Sequence, residues 1–270
     1  MTEFLPVSST ANLDIIQKLF HYDSSQNLLF DVMLHMGTLA ALLVYFWREW
    51  ADIFKANFAL SKLRNSKDQA YAELKSKSMP LWPVIIALIP AAVAGLKLEH
   101  KIESSFSRNP ALIAYSMIGF GILLAIADRA GRRDRTLHKA SIVDWVIVGL
   151  AQAVAVIPGV SRSGATITAG LFRGFERDAA AKFSFMLGAP VIFGAGLLEV
   201  VKHRHELITG DLLPLILPLI LGVITSAIVG YISIGFLFEY MKRRGVTLFV
   251  IYRICFGVVV LALRAFGVFR

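Results

Sequence analysis

Six stretches of this chain are apolar for about 20 residues each, the length a helix needs to cross the hydrocarbon core of a bilayer. They run roughly over Leu28–Trp47, Met79–Leu98, Pro110–Ala127, Phe183–Val201, Leu212–Phe238 and Thr247–Phe269. Pro214 and Pro218 give the long fifth stretch a place to bend. Composition agrees. Hydrophobic residues make up 56 % and charged residues 17 % of 270 residues, where a soluble domain carries roughly 45–50 % and 25 %. The mean hydropathy is +0.65. Intrinsic disorder is excluded by this balance. A disulfide scaffold is excluded too, because the single cysteine, Cys255, lies in an apolar stretch without a partner.

Two further regions are apolar but broken. Phe4–Leu13 is interrupted by Pro6 and Ser8-Ser9-Thr10, and Trp145–Phe172 by Pro158-Gly159-Val160-Ser161-Arg162-Ser163-Gly164. Proline with glycine stops a helix. Breaks at membrane depth persist only where the freed backbone groups face protein or a wet cavity. Both regions therefore read as re-entrant helix–loop–helix hairpins.

Sidedness follows from the Lys and Arg residues in the connections. Arg48–Ser78, Asp128–Ile142, Arg173–Lys182 and Met241–Gly245 hold eighteen, and the alternate connections hold six. The first group is expected in the cytoplasm, with both chain ends outside. The net charge of +9 is then chiefly a topology signal and not a nucleic-acid patch. Arg129, Arg132, Arg133 and Arg135 suit anionic lipid. Trp47 and Trp50 suit an interfacial belt, and the segment after Arg48 an interfacial helix.

The halves resemble each other. Pro6 and Pro158 are offset by 152 positions, and Phe30 and Phe183, each opening a similar run, by 153. The expected fold is an all-α integral membrane protein with about six transmembrane helices and two re-entrant hairpins in an inverted-topology repeat. It forms a single membrane domain over 1–270, with halves of about 1–127 and 143–270. Such a repeat places a site between the broken segments.

The loops carry the chemistry-bearing residues. Glu3, Ser8, Ser9 and Thr10 stand in the first, and Ser161, Arg162, Ser163 and Thr166 in the second. A guanidinium in an apolar segment needs a cavity and a partner, and its planar fork suits a phosphate. Ser161, Ser163 and Thr166 add hydroxyl donors. Gly159 and Gly164 allow backbone N–H groups close to an anion, and the helix starting near Gly164 aims its positive end there. Glu3 suits a base or metal ligand, and Ser9 a nucleophile. The same small polar residues also pack helices in membranes. On residue types alone an enzyme, a carrier and a channel all remain open.

Thr2-Glu3-Phe4-Leu5-Pro6-Val7-Ser8-Ser9-Thr10 and Pro158-Gly159-Val160-Ser161-Arg162-Ser163-Gly164-Ala165-Thr166 resemble the two principal motifs of the bacterial undecaprenyl-diphosphatase (bacitracin-resistance) family. Phe30-Asp31-Val32, Leu34-His35-Met36-Gly37-Thr38, Ile89-Pro90-Ala91-Ala92 and Ile251-Tyr252-Arg253 resemble lesser ones in the family's order. The resemblance implies hydrolysis of undecaprenyl diphosphate to undecaprenyl phosphate and inorganic phosphate, recycling the lipid carrier of cell-wall synthesis. The alternative is a transporter or flippase for a lipid phosphate or another anion.

On matching positions the resemblance implies Glu3 as metal ligand or base, Ser9 as nucleophile and Arg162 as the clamp on the diphosphate. Ser8, Thr10, Ser161, Ser163 and Thr166 then bind substrate oxygens. It implies a divalent cation, Mg or Ca, and a multi-pass protein of the bacterial plasma membrane. Expected partners are a polyprenyl diphosphate, membrane lipids and a second copy of the chain, with no nucleic acid. The other membrane phosphatase class needs a histidine after the Ser-Arg motif. Here Ser161-Arg162 is followed by Ser163-Gly164-Ala165-Thr166.

Two departures from the pattern stand out. Family members usually carry a further acid four positions before Glu3, preceded by most of an apolar helix. Because the chain begins at Met1, the expectation is an internal start or a fragment whose first hairpin lacks its leading half. Asn12 stands where a histidine is common; it can hydrogen-bond but cannot act as a general base. His35 is expected as a packed, hydrogen-bonded residue of the first span. Arg253 is expected to reach the site or a headgroup, to pair internally or to snorkel. His203 and His205 read as solvated loop residues.

Overall fold

A computed structural model of the chain describes residues 2–20, 28–62, 81–107, 109–202 and 216–268. His203, His205, Pro214 and the basic residues at 64–77 lie outside the described residues. Ten α-helices account for the described chain: α1 (Ser9–Phe20), α2 (Leu28–Tyr45), α3 (Trp47–Lys62), α4 (Leu81–Ser107), α5 (Pro110–Ala130), α6 (Ile142–Val154), α7 (Arg162–Phe172), α8 (Arg177–Lys202), α9 (Ile216–Arg244) and α10 (Thr247–Ala265). Among the described residues extended pairing is limited to one isolated bridge, Arg135 to Phe175. The fold is all-α.

Four helices are long and apolar enough to cross a membrane: α5, α8, α9 and α10. The apolar parts of α2 and α4, Val32–Tyr45 and Pro83–Leu98, are shorter. Several helices run past their apolar cores, α4 by nine residues to Ser107. Hydropathy marks only the part that suits hydrocarbon, whereas i→i−4 hydrogen bonding continues into polar sequence. Pro218 is the third residue of α9, inside the first turn, where a missing N–H breaks no helical bond. The segment after Arg48 is helical, as expected, in α3.

The second broken region is a hairpin. α6 and α7 are joined by an irregular link over 155–161, and their far ends meet at Asp144. Ser141 and Asp144 form a reciprocal capping box at the start of α6. Arg173, just past α7, donates to Asp144 Oδ1 at 2.6 Å, and Arg135 donates to both carboxylate oxygens at 3.2 and 2.6 Å. Asp144 is fully buried, so one carboxylate ties both ends of the hairpin to the loop before it.

All four basic connections come together at that end of the bundle. Arg177 forks onto Asp128 at 2.6 and 2.8 Å. Lys182 pairs with Glu49 at 2.7 Å. Asp134 and Arg135 both donate backbone N–H groups to Gly174 O. Gly245, at φ 68°, packs against the Arg177–Asp128 pair so closely that a Cβ would lie 2.7 Å from Arg177 Nη2.

The first broken region is irregular over 2–8 and then helical in α1. Phe4 is fully buried and packs edge-on against Phe185 of α8, with ring centroids 5.7 Å apart. Phe185 in turn packs against Phe46 and Phe238. α2 lies along α9, α10 along α5, α4 along α6, and α7 along α8. The first loop is thereby held over the start of α7.

Candidate active site

Both loops end in the same backbone device. Ser8 and Ser161 have φ of 67° and 71°, and each immediately precedes the first residue of a helix. The left-handed conformation is uncommon for residues with a Cβ. Here each hydroxyl caps the helix that follows, Ser8 Oγ accepting from Ala11 N at 3.4 Å and Ser161 Oγ from Gly164 N at 3.2 Å. α7 starts at Arg162, two residues before the glycine at which its start was expected. The cap sets its first residue.

The first residues of α1 and α7 converge on one carboxylate. Arg162 Nη2 donates to Glu3 Oε1 at 2.9 Å, and Ser9 Oγ donates to Glu3 Oε2 at 2.7 Å. Arg162 Nη1 also donates to Gly188 O at 3.2 Å, which orients the guanidinium from α8. The Glu3 and Arg162 side chains are 23 % and 20 % exposed, so the pair is accessible at the edge of a buried wall. An arginine and a hydroxyl at two helix starts, gathered on an accessible carboxylate, are an arrangement that can hold an anion.

The other hydroxyls expected at the site hold the loops. Ser163 donates to Leu5 O at 3.2 Å and lies 3.3 Å from Ser161 Oγ. Thr166, almost fully buried, donates to Arg162 O at 2.8 Å and also lies 2.6 Å from Ser184 Oγ of α8. Ser8 Oγ and Thr10 Oγ1 are 3.4 Å apart, with Thr10 exposed. In this arrangement Ser161, Ser163 and Thr166 meet protein groups.

Sequence reasoning gave too little weight to Arg253 and passed over Ser184. Arg253 on α10 is fully buried. It donates to Met117 O at 3.1 Å, to Pro6 O at 3.2 Å and to Gly159 O at 2.7 Å, tying the two loops to each other and to α5. The expected alternatives of an ion pair or snorkelling give way to a clamp on backbone carbonyls. The signal was the Ile251-Tyr252-Arg253 run, whose neighbour Tyr252 donates to Asn12 Oδ1.

Asn12 donates in turn to Val7 O at 3.2 Å and Ser8 O at 2.8 Å. Four consecutive loop carbonyls, Leu5 to Ser8, therefore all have donors, the condition for irregular backbone inside a membrane. Gly164 sits close in this packing, since a Cβ there would lie 3.1 Å from Arg253 Nη1 and would press on the guanidinium. His35, expected as a packed residue, is exposed on α2.

Among the described residues no three His, Cys, Asp or Glu side chains gather as metal ligands. Mg²⁺ typically needs only one or two protein carboxylates, with water and substrate phosphate completing its shell. Glu3, accessible and beside the Ser9 hydroxyl, fits that mode.

Comparison with known proteins gives this geometry its context. Residues 1–259 match the family model for bacitracin resistance protein BacA. The chain belongs to this family. It is 43 % identical over 262 residues to a protein of Geobacter metallireducens named undecaprenyl-diphosphatase, covering 97 % of this chain and 93 % of that one. A protein of the same name from Thermomicrobium roseum is 43 % identical over 273 residues, covering 98 % and 94 %. Another from Chlorobaculum tepidum is 38 % identical over 265 residues, covering 96 % and 90 %. The residues that meet at Glu3 lie in the two motifs singled out in the sequence.

Proposed function

We propose that this protein hydrolyses undecaprenyl diphosphate to undecaprenyl phosphate and inorganic phosphate at the site around Glu3, Ser9 and Arg162. The observation that carries the reading is the shared carboxylate: Ser9 on one oxygen of Glu3 and Arg162 on the other. A nucleophile, a base and a planar cation are thereby held within one hydrogen-bonded unit. Phosphoryl transfer requires mainly positioning and charge stabilisation, which such a unit supplies.

In this reading the terminal phosphate takes the Arg162 fork and displaces Glu3 Oε1 from it. Ser9 Oγ attacks the terminal phosphorus as its proton passes to Glu3 Oε2. The bond from phosphorus to the bridging oxygen breaks, and undecaprenyl phosphate leaves and takes up that proton. Water then attacks the phosphoserine, a proton returns to Ser9 Oγ, and inorganic phosphate is released. Thr10, exposed, lines the approach and Ser8 caps α1, while Ser161, Ser163 and Thr166 keep the second loop in register with the first. A divalent cation held by Glu3 would neutralise phosphate charge.

The basic end of the bundle is placed in the cytoplasm of a plasma-membrane protein that crosses several times, and the two halves are read as an inverted repeat. Ser8 and Ser161, each at positive φ and each capping the helix that follows, support that pairing. A homodimer is part of the proposal.

Phosphate release from farnesyl or undecaprenyl diphosphate by purified protein is the test. Arg162→Lys is expected to lower kcat/KM by about 10²-fold or more, because an ammonium cannot reproduce the two-pronged contact. Near-normal turnover in that variant would remove Arg162 from the phosphate site. No release by the wild-type protein, with lipid movement still dependent on Arg162, would favour a carrier.

A further inference from the structure

Gln152 stands in the last turn of α6, one turn before the hairpin link. It is 3 % exposed, and neither Nε2 nor Oε1 has a hydrogen-bond partner in the described structure. Buried amides are normally paired, because desolvating one without a partner is costly. Whichever way the amide is turned, a donor and an acceptor remain unused.

The Gln152 side chain lines a groove, with both amide atoms buried in its wall. A cavity of about 530 Å³ runs between α4, α6 and α8, a size typical of small-molecule sites. Gln152 and Arg162 are the only polar side chains on its described wall. They lie on either side of the hairpin link. Away from them the wall is apolar, with Leu88 and Leu96 from α4 and Val191 and Leu198 from α8. The groove therefore starts at the phosphate clamp and continues as hydrocarbon-lined space.

We propose that Gln152 is a substrate-recognition residue for the phosphate ester that joins the diphosphate to its lipid. With the terminal phosphate on Arg162, the Gln152 side chain turns out of the wall into the groove, and Nε2 donates to an oxygen of the lipid-linked phosphate. The first isoprene units lie between α4 and α8. This arrangement meets the unpartnered donor, the adjacent cation and the apolar wall with one amphipathic ligand. It also selects an allylic lipid diphosphate over a diphosphate without a chain. The inference rests on the reading of the site as a lipid diphosphatase.

The experiment compares wild type, Gln152→Leu and Gln152→Glu in detergent, with farnesyl diphosphate as substrate and its non-hydrolysable methylenediphosphonate analogue as binding probe. Gln152→Leu is expected to raise KM and weaken analogue binding about tenfold or more, with a smaller change in kcat. Its Tm should equal or exceed that of wild type, because no internal hydrogen bond is lost. Gln152→Glu keeps the shape but opposes the phosphate, and should bind more weakly still.

Wild-type affinity in Gln152→Leu would overturn the proposal. So would a loss of affinity that appears only with a lowered Tm in both variants, which would make the amide structural. If wild-type protein binds the analogue through Gln152 yet releases no phosphate, the diphosphatase reading fails and the recognition residue stands. If wild type releases phosphate and both variants match it, the recognition residue alone fails.

Discussion

Ser8 and Ser161 both have a positive φ, 67° and 71°, one residue before α1 and α7. Each then uses its hydroxyl to cap its helix. As a consequence the residues that follow them, Ser9 and Arg162, grip the two oxygens of Glu3. Strain in the loop backbone is balanced by a cap that fixes where the helix and its first side chain begin.

Ser161→Ala retains the strained φ and deletes the cap, so a loss of about 1 kcal/mol is expected. Ser161→Gly also deletes the cap but relieves the strain, and should lie closer to wild type. Denaturant unfolding in detergent separates the two. Equal stability of Ser161→Ala and wild type would remove the cap as a contributor.

Ser9→Ala removes both the proposed nucleophile and the donor on Glu3 Oε2. A fall in kcat of about 10²-fold or more is expected in the phosphate-release assay. Full activity would assign the attack to water directly and leave Ser9 a positioning role.

Arg253→Met leaves three buried carbonyls, of Met117, Pro6 and Gly159, without their donor. A destabilisation of about 3 kcal/mol or more is expected, with loss of activity as the loops separate. Arg253→Lys restores charge but cannot span three acceptors, and should recover only part. An unchanged Tm in Arg253→Met would contradict the clamp.

Asp144→Asn breaks the ion pairs to Arg135 and Arg173 around a fully buried carboxylate. Both arginines are partly exposed, at 27 % and 36 %, so the cost is set at about 3 kcal/mol, the low end for a broken buried pair. Because Asp144 lies at the opposite end of the hairpin from Arg162, kcat/KM per folded molecule should be unchanged below Tm. A specific loss of kcat would place Asp144 in the machinery.

Much of the fold was legible from residue types. The stretches from Pro110 and from Thr247 were recognisable as spans because hydrocarbon selects apolar residues regardless of their neighbours. Pro158-Gly159 marked the interruption between α6 and α7 because both residues act on the local backbone. The count of Lys and Arg grouped connections that the structure does bring together, as in the Arg177–Asp128 and Lys182–Glu49 pairs. The ends of α4 and α8 were less legible, since helical hydrogen bonding does not stop where hydropathy falls.

The site divides in the same way. Glu3, Ser9 and Arg162 could be named from the sequence, because a polar break in an apolar run is costly and must serve a purpose. Which partner each would find could not. Residues 159 positions apart, Glu3 and Arg162, pair only because Phe4 is packed on α8 and Arg253 ties Pro6 to Gly159. Arg253 and Gln152 look alike in sequence as isolated polar residues in apolar helices. Only packing distinguishes them: one has each of its three nitrogens on a carbonyl, and the other lines a groove with neither amide atom partnered among the described residues. The sequence by itself determined the solvent, the helices and the chemical types at the two breaks, since these depend on local free energies. Tertiary structure decided which oxygen meets which nitrogen, because hydrogen bonds are directional and short-ranged, and their geometry exists only once distant segments are packed.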